Sequence, residues 1–180
     1  MLGFLYEARL CLYDEFREGN AAPASGQVGF YEECKRRMPK GKRIKRYRAD
    51  SASYQAALIN RLEEDGVRYG ITASQDAAVK KAIKQISESD WKEPYKGCGF
   101  QLAVIVHTMN ETKKAFNLVV KREAIREQDL FQKQEEEYIY HAVATNYEEE
   151  EKDAYSILKW HNERGTAENF NKELKIGFGM

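Results

Sequence analysis

The chain has 180 residues, and its 29 basic and 29 acidic side chains give a formal net charge of zero at pH 7. No stretch approaches the ~20 consecutive apolar residues that a membrane helix needs, and the first residues lack the pattern of a signal peptide. Cys11, Cys34 and Cys98 have no C-x-x-C spacing, which argues against a zinc site or a disulfide framework. We therefore expect a single cytoplasmic domain over residues 1–180, with reduced thiols and no membrane contact.

The first predicted elements are strands, followed by a helix. Apolar side chains alternate with polar ones in LGFLYEARLCLYDEF, and Gly19-Asn20 ends the pattern; such alternation is typical of half-buried strands. The next stretch, SGQVGFYEECKRRMP, predicts a helix that Pro39 ends.

A dense basic block follows the predicted helix. Nine Lys or Arg and no acidic residue lie between Lys35 and Arg48. Such a block could bind nucleic-acid phosphates, an interaction that is independent of sequence and weakens with salt. A solvated helix end and loop is an equally acceptable interpretation. The residues that we consider for phosphate contact are Lys42, Arg43, Lys45 and Arg46.

Asp50 comes directly after this block, at the predicted boundary between a strand and a helix. Ser51 or Ser53 could cap that helix, and Ala57, Leu58 and Leu62 predict its apolar stripe, which stops at Asp65-Gly66. A carboxylate at the C-terminal end of a strand stands where open α/β sheets bind ligands. The alternative is that Asp50 is only a cap or turn residue.

The middle of the chain predicts mixed elements. VRYGITA predicts a strand and SQDAAVKKAIKQI a helix, and three further strands are predicted in FQLAVIVHTM, AFNLVVKREAI and EYIYHAVATN. His107, within the first of these three, is interpreted as a strand residue rather than a metal ligand. These patterns favour one α/β or α+β domain.

The last stretch, AYSILKWHNERGTAENFNKELK, predicts one helix, or two if Gly165 interrupts it. It carries a charged stripe in HNERGTAENFNKELK. Arg164, Glu168 and Lys175 are separated by four and seven residues, about one and two helical turns, and His161 joins the same face. A carboxylate beside cations suits a divalent metal held against phosphate. A solvated ion pair worth ~0.2–0.5 kcal/mol is the alternative.

Three segments in this order resemble insertion-sequence DDE transposases. Arg164, Glu168 and Lys175 match the spacing of the group whose signature is Tyr-x2-Arg-x3-Glu-x6-Lys, with His161 in place of the Tyr. RADSASYQAALI resembles the second-aspartate motif of the same group, and LGFLYEARLCLYDEFREGNAAPASGQ resembles its second and third core strands.

The resemblance implies a ribonuclease H-like α/β fold with a strand-rich insertion at about residues 66–145. It also implies DNA transposition, in which Asp50 and Glu168 are two ligands of a two-ion Mg²⁺ or Mn²⁺ site. Arg164 and Lys175 would bind DNA phosphates, and His161 would help to position the DNA strand. The implied substrates are the terminal repeats of an insertion sequence and target DNA.

The resemblance further implies that the first catalytic aspartate precedes Met1, so we expect a partial domain that is inactive alone. Asp14 is the first residue to test as a replacement. Two alternatives stay open: a non-catalytic remnant that binds DNA or a full-length transposase, and a ribonuclease H-like nuclease of another kind. A homo-oligomer is also possible.

Overall fold

The computed structural model describes residues 1–17, 20, 22, 24–125 and 138–165. These residues form a mixed α+β fold with two sheets. The strands are β1 (Leu2–Leu5), β2 (Leu10–Asp14), β3 (Arg46–Ala49), β4 (Arg68–Thr72), β5 (Gln101–His107), β6 (Phe116–Ala124) and β7 (Tyr138–Thr145). The helices are α1 (Gln27–Arg36), α2 (Ala56–Glu64), α3 (Ala77–Lys84) and α4 (Ala154–Asn162). None of the described helices is long and apolar enough to cross a membrane.

The larger sheet has five strands in the order β3-β4-β7-β6-β5. β3 and β4 are parallel and are connected through α2, whereas β4, β7, β6 and β5 pair antiparallel. The predicted strand-rich region is therefore continuous with the sheet that contains the strand before Asp50. This arrangement is consistent with the ribonuclease H-like fold that the sequence predicted.

Helices cover both faces of this sheet. The hydrophobic core therefore has two clusters, one on each face. Leu118 and Val120 of β6 belong to a large cluster with residues of α1, α2 and α3. Val119, between them, belongs to a smaller cluster with Ile157 and Leu158 of α4. Successive strand residues point to opposite faces. Of the four described helices, α4 therefore lies on one face of the sheet and α1, α2 and α3 on the other.

β1 and β2 form a separate two-stranded antiparallel sheet. The resemblance predicted that this segment supplies core strands, but within the described part of the chain β1 and β2 pair with each other and with no strand of the larger sheet. The hairpin instead packs on α1: a Cβ added to Gly3 would lie 2.6 Å from Cys34 Sγ and 3.4 Å from Phe30. It is also tied to β3, because Arg46 pairs with Glu7 at 3.0 Å.

The predicted helices are present among the described residues, with differences in their caps, faces and ends. α4 ends at Asn162, before Arg164, and the rest of the predicted stripe, Glu168 and Lys175, lies outside the described residues. α2 begins after Gln55 rather than after Ser51 or Ser53, because a short 3₁₀ turn at Ser51–Ser53 separates Asp50 from the helix. Ala57, predicted to be apolar core, is exposed, and Ile59 takes its place in the buried stripe.

Candidate active site at the end of strand β3

Asp50 lies where β3 ends, as the sequence predicted. Its backbone is still extended, with φ −79° and ψ −175°, and its Oδ1 accepts a hydrogen bond of 3.1 Å from the Ala52 N–H. The exposed Asp50 side chain therefore caps the 3₁₀ turn. Capping and ligand binding are compatible, since a carboxylate has about four acceptor positions.

Asp50 opens onto a cavity of about 900 Å³, which we call the interstrand cavity. It is lined by β1, by residues 43–50, and by Trp160, Glu163 and Arg164 at the end of α4. The structure therefore brings Asp50 and Arg164 to one cavity, although they are 114 positions apart (164 − 50). Glu168 and Lys175 lie outside the described residues.

Arg48 fixes the end of α4 against β3. Its Nη1 donates to the Trp160 carbonyl and forms an ion pair of 3.4 Å with Glu163. The guanidinium also lies over the Tyr6 ring, 4.7 Å from its centroid. A cation at a helix C-terminus satisfies carbonyls that lack helical partners. Burial lowers the pKa of Arg48, and the neighbouring carboxylate of Glu163 opposes this effect.

In the sequence, Arg48 stands out only as the last residue of the basic block. The sequence did contain one relevant pattern. Arg48 follows Tyr47 in a strand, so the two side chains point to opposite faces of β3. The position of α4 on the Arg48 face could not be read from the sequence.

His161 has a different role from the predicted one. Its side chain is only 2% exposed, Nδ1 lies 3.1 Å from the Gly70 carbonyl, and Nε2 lies 2.9 Å from Thr72 Oγ1. Since a carbonyl only accepts, Nδ1–H donates to Gly70, and the neutral Nε2 accepts from the Thr72 hydroxyl. Burial, together with the charge of Arg164, lowers the pKa of His161 to about 4 despite the bond to Gly70. The neutral ring positions α4 on β4 and cannot face a DNA strand from this pocket.

His141, on β7, is a second residue that sequence analysis did not select. Its ring centroid lies 6.2 Å from that of His161. Burial and the nearby charges of Lys121 and Arg164 lower its pKa. Arg164 therefore contributes to lowering the pKa of both histidines.

The basic block divides into engaged and exposed parts. At its start, Lys35 pairs with Asp65 at 2.6 Å, and Arg36 pairs with Glu33. The four residues predicted to contact phosphate, Lys42, Arg43, Lys45 and Arg46, are all exposed. The last three also line the interstrand cavity beside Asp50. Arg46 is both exposed and paired with Glu7, so Arg43 and Lys45 are the more accessible to a polyanion at the cavity mouth.

The donor chemistry near Asp50 suits a hard divalent cation. Exposed carboxylate oxygen is the ligand type that Mg²⁺ and Mn²⁺ take. Glu163 lines the same cavity but is paired with Arg48. Within the described part of the chain, no group of three or more His, Cys, Asp or Glu residues is arranged to hold a metal ion.

Comparison with known protein families matches residues 10–180 to the transposase DDE domain. The match covers both Asp50 and the segment from His161 to Lys175. A comparison with curated proteins finds no match.

Proposed function

The chain belongs to the transposase DDE domain family, and we propose that it acts on insertion-sequence DNA through a site built from Asp50 and Glu168. The family's chemistry is DNA transposition by metal-dependent cleavage. The observation that supports this site is the shared cavity, in which Asp50 and the C-terminal end of α4 come together. Glu168 follows Arg164 by four residues in the sequence, and it lies outside the described residues.

In this proposal Asp50 and Glu168 hold divalent metal, Mg²⁺ or Mn²⁺, in a two-ion site. When bound, the ions activate the attacking hydroxyl and stabilise the leaving oxygen of an in-line displacement at phosphorus. Asp50 presents its carboxylate from the rigid end of a paired strand, which sets its position before any ligand arrives.

The basic residues hold the DNA. Arg164 lines the cavity, and Lys175 follows it in the signature that the chain resembles, so both would bind phosphates beside the carboxylates. Arg43, Lys45 and Arg46, at the start of β3 and in the segment before it, add further basic side chains to the cavity lining. Arg48 and His161 act indirectly: the first joins α4 to β3 and the second joins α4 to β4. They thereby set the spacing between Asp50 and Arg164.

The carboxylate assignment is tested by Mn²⁺ binding, measured by electron paramagnetic resonance of free Mn²⁺. We expect Asp50→Asn and Glu168→Gln each to weaken Mn²⁺ binding at least about tenfold, because each removes a charged ligand. Asp90→Asn is the matched control, since Asp90 is an exposed acid in another 3₁₀ turn. Equal Mn²⁺ affinity in all four proteins would contradict the assignment.

A second candidate is DNA binding without cleavage. The exposed basic side chains of Lys42, Arg43 and Lys45 favour this candidate, because phosphate contacts by Lys and Arg need no metal ion. A plasmid nicking assay with Mg²⁺ distinguishes the two. Nicking that Asp50→Asn abolishes supports a complete enzyme, whereas salt-sensitive binding with no nicking supports the second candidate.

A further inference from the structure

Two cysteines lie where the hairpin packs on α1, and we propose that Cys11 and Cys34 form a reversible disulfide that fixes the hairpin on this helix. The inference concerns a modification site, and it does not depend on the DNA chemistry proposed above. Cys11 belongs to β2 and Cys34 to the C-terminal half of α1. Both residues are free thiols in the structure, as is Cys98.

The contact between the hairpin and α1 brings the two cysteines together. Cys34 Sγ meets β1 at Gly3, since a Cβ added to Gly3 would lie 2.6 Å from this sulfur atom. The next residue of β1, Phe4, is opposite Cys11 in the antiparallel pair, and opposite residues have Cα atoms about 4.5–5.5 Å apart. Cys11 therefore lies one strand across and one residue along from the point where Cys34 meets the hairpin.

Neighbouring contacts place the same turn of α1 against β2. The Tyr13 and Phe30 ring centroids are 5.2 Å apart, and the Arg37 guanidinium lies 4.3 Å from the Tyr13 centroid. Cys34 lies between Phe30 and Arg37 in the helix, about one turn from each. Tyr13 in turn follows Cys11 by two residues. The residues on either side of both cysteines are therefore already in contact.

The backbone at this contact suits the geometry of a disulfide, in which the Cα atoms are about 4.4–6.8 Å apart. Gly3 has no side chain, so the helix approaches β1 closely. The pairing with β1 also passes over Leu12, because its register shifts between Gly3 and Phe4. Such a bulge bends a strand and changes the direction of nearby side chains, which lets Cys11 turn toward Cys34.

The two thiols differ in accessibility, and this difference sets the order in which they react. Cys11 is exposed, whereas Cys34 is only 7% exposed. Burial, together with the charge of a Cys11 thiolate, raises the pKa of Cys34 to about 11, so the two sulfur atoms lie within electrostatic range of each other. Cys11 is consequently the thiol that an external oxidant reaches first.

The oxidant is a small disulfide, such as oxidised glutathione. The Cys11 thiolate attacks one of its sulfur atoms, the S–S bond breaks, and one molecule of glutathione leaves. Cys34 then loses its proton and attacks the Cys11 sulfur, and the second molecule of glutathione leaves. In total the two protein thiols lose two protons and two electrons, and the glutathione disulfide is reduced to two thiols.

The cross-link would act next to the candidate site. The hairpin residues Tyr6 and Glu7 contact Arg48 and Arg46, respectively, and thus connect the hairpin to β3. A disulfide to α1 would hold these two hairpin residues in place from the other side.

Cys98 provides the matched control. It precedes β5, which lies at the opposite edge of the five-stranded sheet from β3, and its Sγ lies 3.0 Å from the Phe100 carbonyl as a donor. The hairpin is tied to β3 through the ion pair of Glu7 with Arg46. Cys98 therefore lies far from the other two thiols, and a native disulfide should not include it.

The test equilibrates the whole chain with mixtures of oxidised and reduced glutathione, blocks the remaining thiols with N-ethylmaleimide and measures intact mass. The oxidised protein should lack two hydrogen atoms, and non-reducing peptide mapping should join the peptides of Cys11 and Cys34. Cys98→Ser should form the same bond. Cys34→Ser should instead retain glutathione on Cys11, and Cys11→Ser should keep Cys34 reduced, because the buried thiol is not reached.

The same equilibrium in urea tests whether the fold holds the thiols together. At a given glutathione mixture, the ratio of oxidised to reduced protein should be at least about tenfold higher in the folded chain than in the unfolded chain. The oxidised protein should correspondingly unfold at a higher urea concentration than the reduced protein. Cys11→Ser, treated in the same way, should show no such shift.

Several results would overturn the proposal. These are a disulfide that includes Cys98, a covalent dimer, wild-type protein that stays reduced or keeps glutathione on Cys11, and an equal ratio of oxidised to reduced protein with and without urea. Each would show that the fold does not hold Cys11 and Cys34 within bonding distance.

Discussion

The two faces of the five-stranded sheet are built from different chemistry. The face beneath α1, α2 and α3 is almost wholly apolar, with Leu58, Ile71 and Leu118 completely buried. The face beneath α4 has fewer apolar residues, and toward the end of that helix it becomes polar, with His161, Thr72 and Arg48 in contact with the helix or its partners. One face therefore stabilises the fold, and the other positions the candidate site.

This difference separates stability from site geometry. Apolar burial stabilises in proportion to area and has no direction, so the large cluster tolerates small shifts. The hydrogen bonds of His161 and Arg48 have defined donors and acceptors, and they fix α4 on β3 and β4. Substitutions on the two faces should consequently have separable effects.

The largest expected loss of stability comes from a cavity in the large cluster. Leu118→Ala should lower the free energy of unfolding by about 2–5 kcal/mol while leaving the Mn²⁺ affinity of the folded protein unchanged. Leu158→Ala, on α4, should lower both. Urea unfolding and Mn²⁺ titration without denaturant measure the two quantities. A larger change in Mn²⁺ affinity for Leu118→Ala than for Leu158→Ala would refute the separation.

Acidification should destabilise the α4 face through His161. Its pKa of about 4 in the fold lies below the ordinary value of 6.5, so between these values the unfolded chain binds a proton that the folded chain excludes. The contribution of His161 to the free energy of unfolding is therefore complete above pH 6.5 and decreases as the pH falls toward 4. The total decrease is roughly 3 kcal/mol. Urea unfolding at several pH values measures this fall. His161→Gln should flatten it, and an unchanged slope would contradict the role of His161.

A methyl group at Gly70 should disturb the same contact by steric means. A Cβ there would lie 2.8 Å from Trp160 Cζ3 and 3.5 Å from His161 Nδ1, so Gly70→Ala should cost about 1–3 kcal/mol and displace the end of α4. Gly29→Ala is the control, because its Cβ would meet nothing within 4 Å on an exposed turn of α1. That change should be neutral or stabilise by about 0.5–1 kcal/mol in thermal unfolding. Equal losses in the two variants would argue against a tight contact at Gly70.

The smallest expected effect on stability belongs to the exposed basic residues. Changing Lys42, Arg43, Lys45 and Arg46 together to Ala should alter the free energy of unfolding by less than about 1 kcal/mol. The same change should weaken binding to a generic DNA duplex and reduce its salt dependence, because fewer counterions are released. Fluorescence anisotropy across a salt series measures this. The control changes Lys80, Lys81, Lys84 and Lys92 to Ala, all of which are exposed and none of which lines the cavity. If both sets of changes reduce DNA affinity and its salt dependence equally, the basic block does not bind DNA in preference to other exposed lysines.

The periodic signals in the sequence predicted most of the elements. Alternation predicted β5, β6 and β7, and the Val79 and Ile83 stripe predicted α3; both features are confirmed. The hairpin was identified as strand material, but its separation from the main sheet was not predicted. Strand pairing depends on which edges meet in space, and local periodicity does not encode this.

For the candidate site, the sequence predicted the position of Asp50 but not the burial of His161. Asp50 was placed correctly at a strand end because strand and helix patterns change there. The same helical stripe that selected Arg164 also selected His161, whose burial depends on Gly70 and Thr72, about 90 residues earlier in the chain. Spacing along a helix shows which residues share a side. It does not show whether that side faces solvent or a neighbouring strand.

The pairing of β4 with β7 has a consequence for the order in which the chain folds. β5, β6 and β7 pair with their neighbours in sequence, whereas the bond from Thr145 Oγ1 to the Tyr69 carbonyl joins residues 76 positions apart. Closing a long loop costs entropy before its contacts form, and such pairings slow folding. We expect the β5–β7 meander to form early and the docking of β4 to limit the rate. Kinetic φ-values near one for Val120→Ala and near zero for Ile71→Val would reveal this order.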